Sequence, residues 1–198
     1  MRVSAILLAA GRSSRMGCQK GLLPWHGKTL FEHQIQELKN ANLSEIIVVT
    51  GHDAIIYSRM AKHFPIISIY NHNYLEGKCS SIVAGLLSVD KQTEMVLIVA
   101  VDQPTDARII LQLIEALQKG TAVIAVPLYD GKRGHPLLLS TTIMDDLLAI
   151  KEETKGLRHL FQKYDNQVIE VPISNSLIHL NINTPEDYQK ALKHYQYK

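Results

Sequence analysis

The sequence predicts an α/β protein built on a mostly parallel sheet with helices on both faces. Three observations carry this prediction. Short β-branched runs bounded by turn residues recur along the chain, amphipathic segments lie between them, and most of the runs are apolar throughout, as doubly covered strands must be. With 198 residues and 46% hydrophobic content, the chain can bury one good core, so a single domain spanning residues 1–198 is expected. No internal repeat, low-complexity stretch or linker interrupts it.

The strand candidates, in order, are Val3 to Leu8, Glu45 to Thr50, Ile66 to Tyr70, Met95 to Val101, Ala122 to Pro127, Val168 to Pro172 and Leu177 to Ile182. Helix starts are equally readable. Thr29-Leu30-Phe31-Glu32 forms a capping box, with Phe31, Ile35 and Leu38 following along one helical face. Thr184-Pro185-Glu186-Asp187 places a cap, a first-turn proline and two acids at the start of the last helix. Between them, Asp53 to His63, Ser80 to Val89, Ala107 to Lys119 and Ser140 to Glu152 read as helices, with Gly120 as a left-handed terminator. Tyr129 to His135 reads as an irregular loop. The apolar run Ala5 to Ala10 is far below spanning length and ends in a polar loop, so it reads as a buried strand, neither signal peptide nor membrane span.

Charge excludes further classes. A formal net charge of +2 with no basic tract argues against nucleic acid or a membrane surface as partner. Cys18 and Cys79 show neither metal-ligand nor disulfide spacing, which fits the reduced cytoplasm.

Leu8 to Gly17 leaves a buried strand, turns at Gly11, and passes small residues to reach Arg15 and then Lys20. Small side chains let the backbone approach a ligand, and successive N–H groups can nest an anion such as a polyphosphate. Arg15 could fork two phosphate oxygens, and Lys20 could follow charge on the reacting phosphate. Neither the dinucleotide fingerprint nor the P-loop signature is present. The apolar run Met95 to Val101 ends in Asp102-Gln103-Pro104, putting a carboxylate at the edge where open α/β sheets bind ligands. One aspartate suffices to anchor Mg²⁺ beside substrate phosphates, although a turn former before Pro104 would look the same. Asn181 and Asn183 could add an amide oxygen, or simply serve the turn that Thr184 caps. His135, between Gly134 and Pro136 and beside Lys132 and Arg133, stands where an acceptor phosphate could dock or where a hydrogen bond could order the loop. His26, His33, His52 and His63 read as surface or helix residues.

Taken together, Leu8 to Gly17 with Lys20, Gly77 with Ser80-Ser81, Asp102-Gln103-Pro104, Gly134-His135-Pro136 and Asn181 to Asp187 resemble the MobA-like nucleotidyltransferases. Within that family they are most similar to the molybdenum cofactor cytidylyltransferases. The resemblance spans residues 3 to 190. It implies a three-layer, Rossmann-like fold of the nucleotide-diphospho-sugar transferase type, and Mg²⁺-dependent transfer of a nucleotidyl group, CMP from CTP, to the terminal phosphate of a pterin cofactor with release of pyrophosphate. A molybdoenzyme would receive the product.

By matching position, the resemblance implies that Leu8, Ala9, Ala10 and Gly11 hold the nucleotide through main-chain groups and that Arg15 and Lys20 grip its phosphates. Asp102 would bind the metal, with Asn181 and Asn183 as further candidates. The region from Asn71 through Gly77 to Ser80 and Ser81 would face base and ribose, and Arg133, Gly134 and His135 would lie near the acceptor. Ala10, where guanylyl-transferring relatives tend to have glycine, favours cytidine. Two departures stand out: Lys78-Cys79 replaces a Met-Ser pair, and Asn181 and Asn183 replace aspartates, as in the guanylyl branch.

Attack by an anionic phosphate monoester needs no general base, so positioning and charge stabilisation suffice. The rival readings are cytidylyl, uridylyl or guanylyl transfer to another phosphorylated acceptor, and a non-catalytic nucleotide-binding chaperone for a cofactor.

Overall fold

The computed structural model describes residues 1–195. The chain opens with β1 (Val3–Ala9), buried along its whole length. A hairpin of β2 (Pro24–Trp25) and β3 (Lys28–Thr29) leads into α1 (Leu30–Asn40). The capping box forms as expected: Glu32 N–H donates to Thr29 Oγ1 at 3.2 Å, and Thr29 N–H donates to Glu32 Oε2 at 2.9 Å. Then come β4 (Glu45–Thr50), α2 (Ala54–Ala61), β5 (Ile67–Tyr70), α3 (Lys78–Leu86) and β6 (Met95–Ala100). The middle of the chain forms α4 (Ala107–Lys119), β7 (Ile124–Tyr129), β8 (Lys132–Arg133) and β9 (Leu137–Ser140). It closes with α5 (Met144–Leu148), α6 (Leu157–Lys163), β10 (Val168–Pro172) and α7 (Pro185–Tyr195).

The sheet runs β10-β7-β9-β6-β1-β4-β5, with β8 pairing β7. β1 is flanked in parallel by β4 and β6, with Ile6 opposite both Ile47 and Ile98. β4–β5 and β7–β10 are also parallel. The alternation of β1 divides the core. Val3, Ala5, Leu7 and Ala9 face a cluster that includes Ile35 of α1, Tyr57 of α2, Leu113 of α4 and Ala191 of α7. Ile6 and Leu8 face Ile82 of α3, Leu147 of α5 and Leu160 of α6. Both faces are therefore covered, as the apolar strands require. α3 lies close against β1: a Cβ added at Gly85 would sit 2.5 Å from Ile6 Cγ2. β1, β4 and β6 end side by side, and their C-terminal edge is where the site forms.

The structure corrects several expectations. The sheet is mostly parallel as expected, but β9, where no strand was expected, runs antiparallel between β6 and β7. Tyr129 to His135 is no irregular loop at its start but the β7–β8 hairpin, turning on Asp130 and Gly131 with φ of 49° and 69°, the backbone that a two-residue turn between twisted strands demands. Leu177 to Ile182 is not a strand. Ser176–His179 is a 3₁₀ turn started by Asn175, whose Oδ1 accepts from Leu177 N–H at 2.9 Å. Leu177 and Ile178, adjacent in sequence, are both buried, which strand alternation would forbid in a half-exposed strand. The helix expected over Ser140 to Glu152 shrinks to a 3₁₀ turn, Thr141–Ile143, where Ser140 Oγ accepts from Thr142 N–H at 3.2 Å, followed by α5, which ends at Leu148. α6 lies where no helix was expected. α2 starts at Ala54, with Asp53 at a φ of 54°, and α3 starts at Lys78. Gly120 is extended (φ −107°, ψ −177°), not left-handed.

Candidate active site

A cleft of roughly 360 Å³ opens at the C-terminal edge of β1 and β6. Leu8, Ala9, Ala10 and Gly11 form one wall, Gly77 and Ser81 another, and Lys20, Asp102, Asn181 and Asn183 complete it. The loop after β1 is fixed at both ends. Val101 N–H donates to the Leu8 carbonyl (3.0 Å) and His52 N–H to that of Ala10 (3.1 Å). At the far end Gln19 Nε2 donates to Asp53 Oδ2 at 2.6 Å, and Lys20 N–H to Ser13 Oγ at 3.3 Å. Met16 anchors the loop in the core. Gly11 is informative within it. Its φ is not positive, and an added Cβ would meet no protein atom within 4 Å. Neither the turn nor the packing requires glycine there, and the residue lines the cleft with open space beside it.

Lys20 begins a 3₁₀ turn (Lys20–Leu22) that holds it in the floor of the site. Its Nζ donates to Asp102 Oδ2 at 2.8 Å and to Asn183 Oδ1 at 2.9 Å. The two acceptors are joined through the backbone: Ile182 N–H donates to the Asp102 carbonyl at 2.9 Å, which draws the strand-less segment before α7 alongside the end of β6. Asp187 then accepts from the N–H groups of Asn183 (3.1 Å) and Thr184 (3.0 Å), fixing the turn. These N–H groups hold the Asp187 carboxyl below its ordinary range, with burial opposing. A carboxylate oxygen and an amide oxygen thus converge on one cation, the donor set a hard divalent ion takes. Asn181 lines the cleft but is exposed.

The other expected residues divide. Arg15 is exposed and does not line the cleft, yet its guanidinium donates to Asn183 Oδ1 at 3.2 Å. Asn71 and Ser80 lie behind the wall of the cleft, spent on each other: Asn71 Nδ2 donates to Ser80 Oγ (2.9 Å) and Ser81 Oγ (3.0 Å). Ser80 Oγ donates in turn toward the Asn73 and Gly77 carbonyls. They tie the end of β5 to the start of α3, while Gly77 and Ser81 reach the cleft.

Arg133, Gly134 and His135 line a second cavity, of roughly 650 Å³. Lys78 and Gln103 line both spaces, so the two adjoin. Arg133 is paired with Glu170 (2.7 Å) and lies over the Phe161 ring at 5.4 Å. Gly134 packs so closely that a Cβ would sit 2.4 Å from the Ile178 carbonyl oxygen, and His135 N–H donates to that oxygen at 2.8 Å. Burial, with Lys78 second, pushes the His135 ring down to about 4, so it is neutral at pH 7. The loop-ordering bond at this position is made by the His135 backbone.

Sequence reasoning missed Tyr57 as a lining residue and did not single out Ser13, Tyr74, Lys78 and Gln103 within the segments it marked. Tyr57 comes from α2, where its hydroxyl accepts from Gly21 N–H (3.2 Å) and donates to Gln19 Oε1 (3.3 Å). Burial pushes its pKa up to about 12. Tyr74 packs where Ala10 meets Gly51: a Cβ at Gly51 would lie 2.6 Å from Tyr74 Cβ and 2.9 Å from Ala10 Cβ. Tyr57 alone carried no signal: Ser13 and Tyr74 lie in marked segments, Gln103 stands beside Asp102, and Lys78 departs from the resembled pattern.

Residues 5–168 match the model of the MobA-like NTP transferase domain. The chain is 33% identical over 196 residues to the molybdenum cofactor cytidylyltransferase of Escherichia coli (strain K12), covering 98% of this chain and 97% of that one. It is 27% identical over 200 residues to a probable molybdenum cofactor guanylyltransferase of Bacillus cereus, covering 96% of each. Among solved structures, a nucleotidyl transferase from Methanothermobacter superposes with a TM-score of 0.84 at 24% identity, covering 98% of each chain, a likeness of fold.

Proposed function

The chain belongs to the MobA-like NTP transferase family and is a nucleotidyltransferase, and on that premise we propose that it transfers CMP from CTP to the terminal phosphate of the molybdenum cofactor. The observation that carries the reading is the convergence of Lys20, Asp102 and Asn183 beside the Leu8–Gly11 wall. The full-length similarity to a cytidylyltransferase supports the choice of nucleotide and acceptor.

The reaction forms a bond between an acceptor phosphate oxygen and the α-phosphorus as the bond to the β-phosphate oxygen breaks and pyrophosphate leaves. The acceptor oxygen is already anionic, so no side chain must remove a proton. The N–H groups of the first loop would hold the triphosphate, with Gly11 leaving room for it. Lys20, preorganised by its two acceptors, would stabilise the charge that grows on the reacting phosphate, and Arg15 would bind from the rim. Asp102 and Asn183 would hold Mg²⁺, which when bound offsets the charge of the triphosphate. Neutral His135 would present a hydrogen bond, not a charge, to the acceptor side. Ala10 and Tyr74 would bound the base.

Pyrophosphate release from CTP, GTP, UTP and ATP with purified molybdenum cofactor tests the proposal. Release from CTP that depends on the acceptor supports it. Nucleotide binding without release would instead identify a chaperone, and release with only a different phosphorylated acceptor would identify a related transferase.

A further inference from the structure

Lys78 is the first residue of α3, following Gly77 (φ 112°). Three features make a lysine costly here. Its charge sits at the positive end of the helix dipole. Although exposed at the mouth of the cleft, it is crowded by the surrounding walls, and this desolvation lowers its pKa, with the Asp102 charge the main opposing influence. It forms no ion pair among the described residues, and the nearby Glu152 is turned to the Cys79 N–H at 2.8 Å. An anion at this point would relieve all three.

A second group points the same way. Gln103 is only 9% exposed and lines both spaces, as Lys78 does. Its backbone carbonyl accepts from Gln34 Nε2 at 2.8 Å, but its side-chain amide has no hydrogen-bond partner among the described residues. The residue is held by the fold while its amide reaches the cavity, so its N–H groups are available to an anion there. Lys78 and Gln103 therefore stand together at the junction between the cleft floored by Asp102 and the cavity walled by His135, one offering a charge and the other an N–H donor.

We propose that Lys78 and Gln103 clamp the phosphate monoester of the acceptor at this junction, so that Lys78 is a specificity-determining residue for the acceptor and not for the nucleotide. This rests on the reading of the protein as a nucleotidyltransferase with a phosphorylated acceptor. The junction is where a nucleophilic phosphate oxygen entering from the second cavity would meet a triphosphate lying in the first.

The test is calorimetric titration of inorganic phosphate into the full chain saturated with Mg²⁺ and a non-hydrolysable analogue of CTP, or of GTP if only that analogue binds. Lys78→Met should weaken phosphate binding about tenfold or more, Lys78→Arg should keep most of it, and analogue affinity should change less than about threefold in both. Gln103→Leu should weaken phosphate by a smaller factor. Unchanged phosphate affinity in Lys78→Met, no phosphate binding by the wild type, or an equal loss of analogue affinity would each overturn the proposal. Acceptor-dependent pyrophosphate release by the wild type, measured separately, reports on the underlying reading: its absence alongside intact Lys78-dependent phosphate binding would fault the assigned reaction and not the clamp.

Discussion

Lys20 Nζ and Asp102 Oδ2 lie 2.8 Å apart, brought together across 82 positions of sequence. Both side chains are largely withdrawn from solvent, 11% and 22% exposed, so the pair is shielded and its geometry is held by the fold. This contact places the end of β6 against the loop that leaves β1.

Asp102→Ala should nearly abolish turnover while leaving the fold intact, because it removes the one acidic side chain that lines the cleft among the described residues and leaves Lys20 without its charged partner. Loss of metal binding would remove several kcal/mol of stabilisation, about a thousandfold or more in rate. Steady-state rates across a Mg²⁺ titration, with circular dichroism as a control on folding, check this. Near-normal activity would be incompatible with the assignment.

Lys20→Ala should lower kcat by about a hundredfold to a thousandfold with a smaller effect on triphosphate affinity, the signature of a donor that acts on the reacting phosphate. Arg15→Ala, at the exposed rim, should weaken both parameters modestly. A purely KM-type effect of Lys20→Ala would show that it contributes uniform binding.

Gly11→Ala and Gly134→Ala should behave oppositely. At Gly11 the new methyl meets no protein atom, so the melting temperature should stay within about 2 °C while triphosphate affinity falls. At Gly134 it would collide with the Ile178 carbonyl, 2.4 Å away, costing about 1–3 kcal/mol and lowering the melting temperature by several degrees. Thermal scans with and without nucleotide separate the two.

Much of this fold was legible in the sequence, and the losses have identifiable causes. β4, β10 and α4 match their expected bounds: β4 is β-branched and buried, β10 is a β-branched run that ends at Pro172, and α4 is amphipathic and capped by Asp106. β9 escaped because Leu137–Ser140 is short and apolar, without the alternation or flanking pattern that marks a strand. The β7–β8 turn was visible as Asp130-Gly131 but was read as composition instead of geometry. In the site, Lys20, Asp102 and Asn183 were all nameable, whereas their meeting depends on the Ile182 to Asp102 backbone bond, which no local pattern announces. Tyr57 and Tyr74 arrive from α2 and from the turn before α3 as ordinary aromatics, and only tertiary packing turns them toward the cleft.

Stability should fall as pH drops from about 6.5 toward 4, partly through His135. Burial and the neighbouring Lys78 and His179 charges hold its folded pKa at about 4, with Asp102 opposing, so the unfolded chain takes up a proton that the folded chain refuses. The unfolded state binds more protons in that window, and stability therefore rises with pH across it, by on the order of 2 kcal/mol from this residue. Urea midpoints between pH 4 and 7 should show a shallower slope for His135→Gln than for the wild type. An equal slope would mean that His135 titrates normally.

Transfer of CMP to a pterin phosphate in the cleft beside Lys20 and Asp102 can be read from the mass of the product formed from equimolar CTP and GTP, Mg²⁺ and molybdenum cofactor. The Ala10 methyl, packed with Gly51 and Tyr74, narrows the end of the cleft assigned to the base. The wild type should therefore favour the cytosine dinucleotide by about tenfold or more, a gap of about 1.4 kcal/mol, and Ala10→Gly should reduce that preference. A predominantly guanine product, or no dinucleotide from either nucleotide, would rule out CMP transfer to the molybdenum cofactor as this protein's reaction.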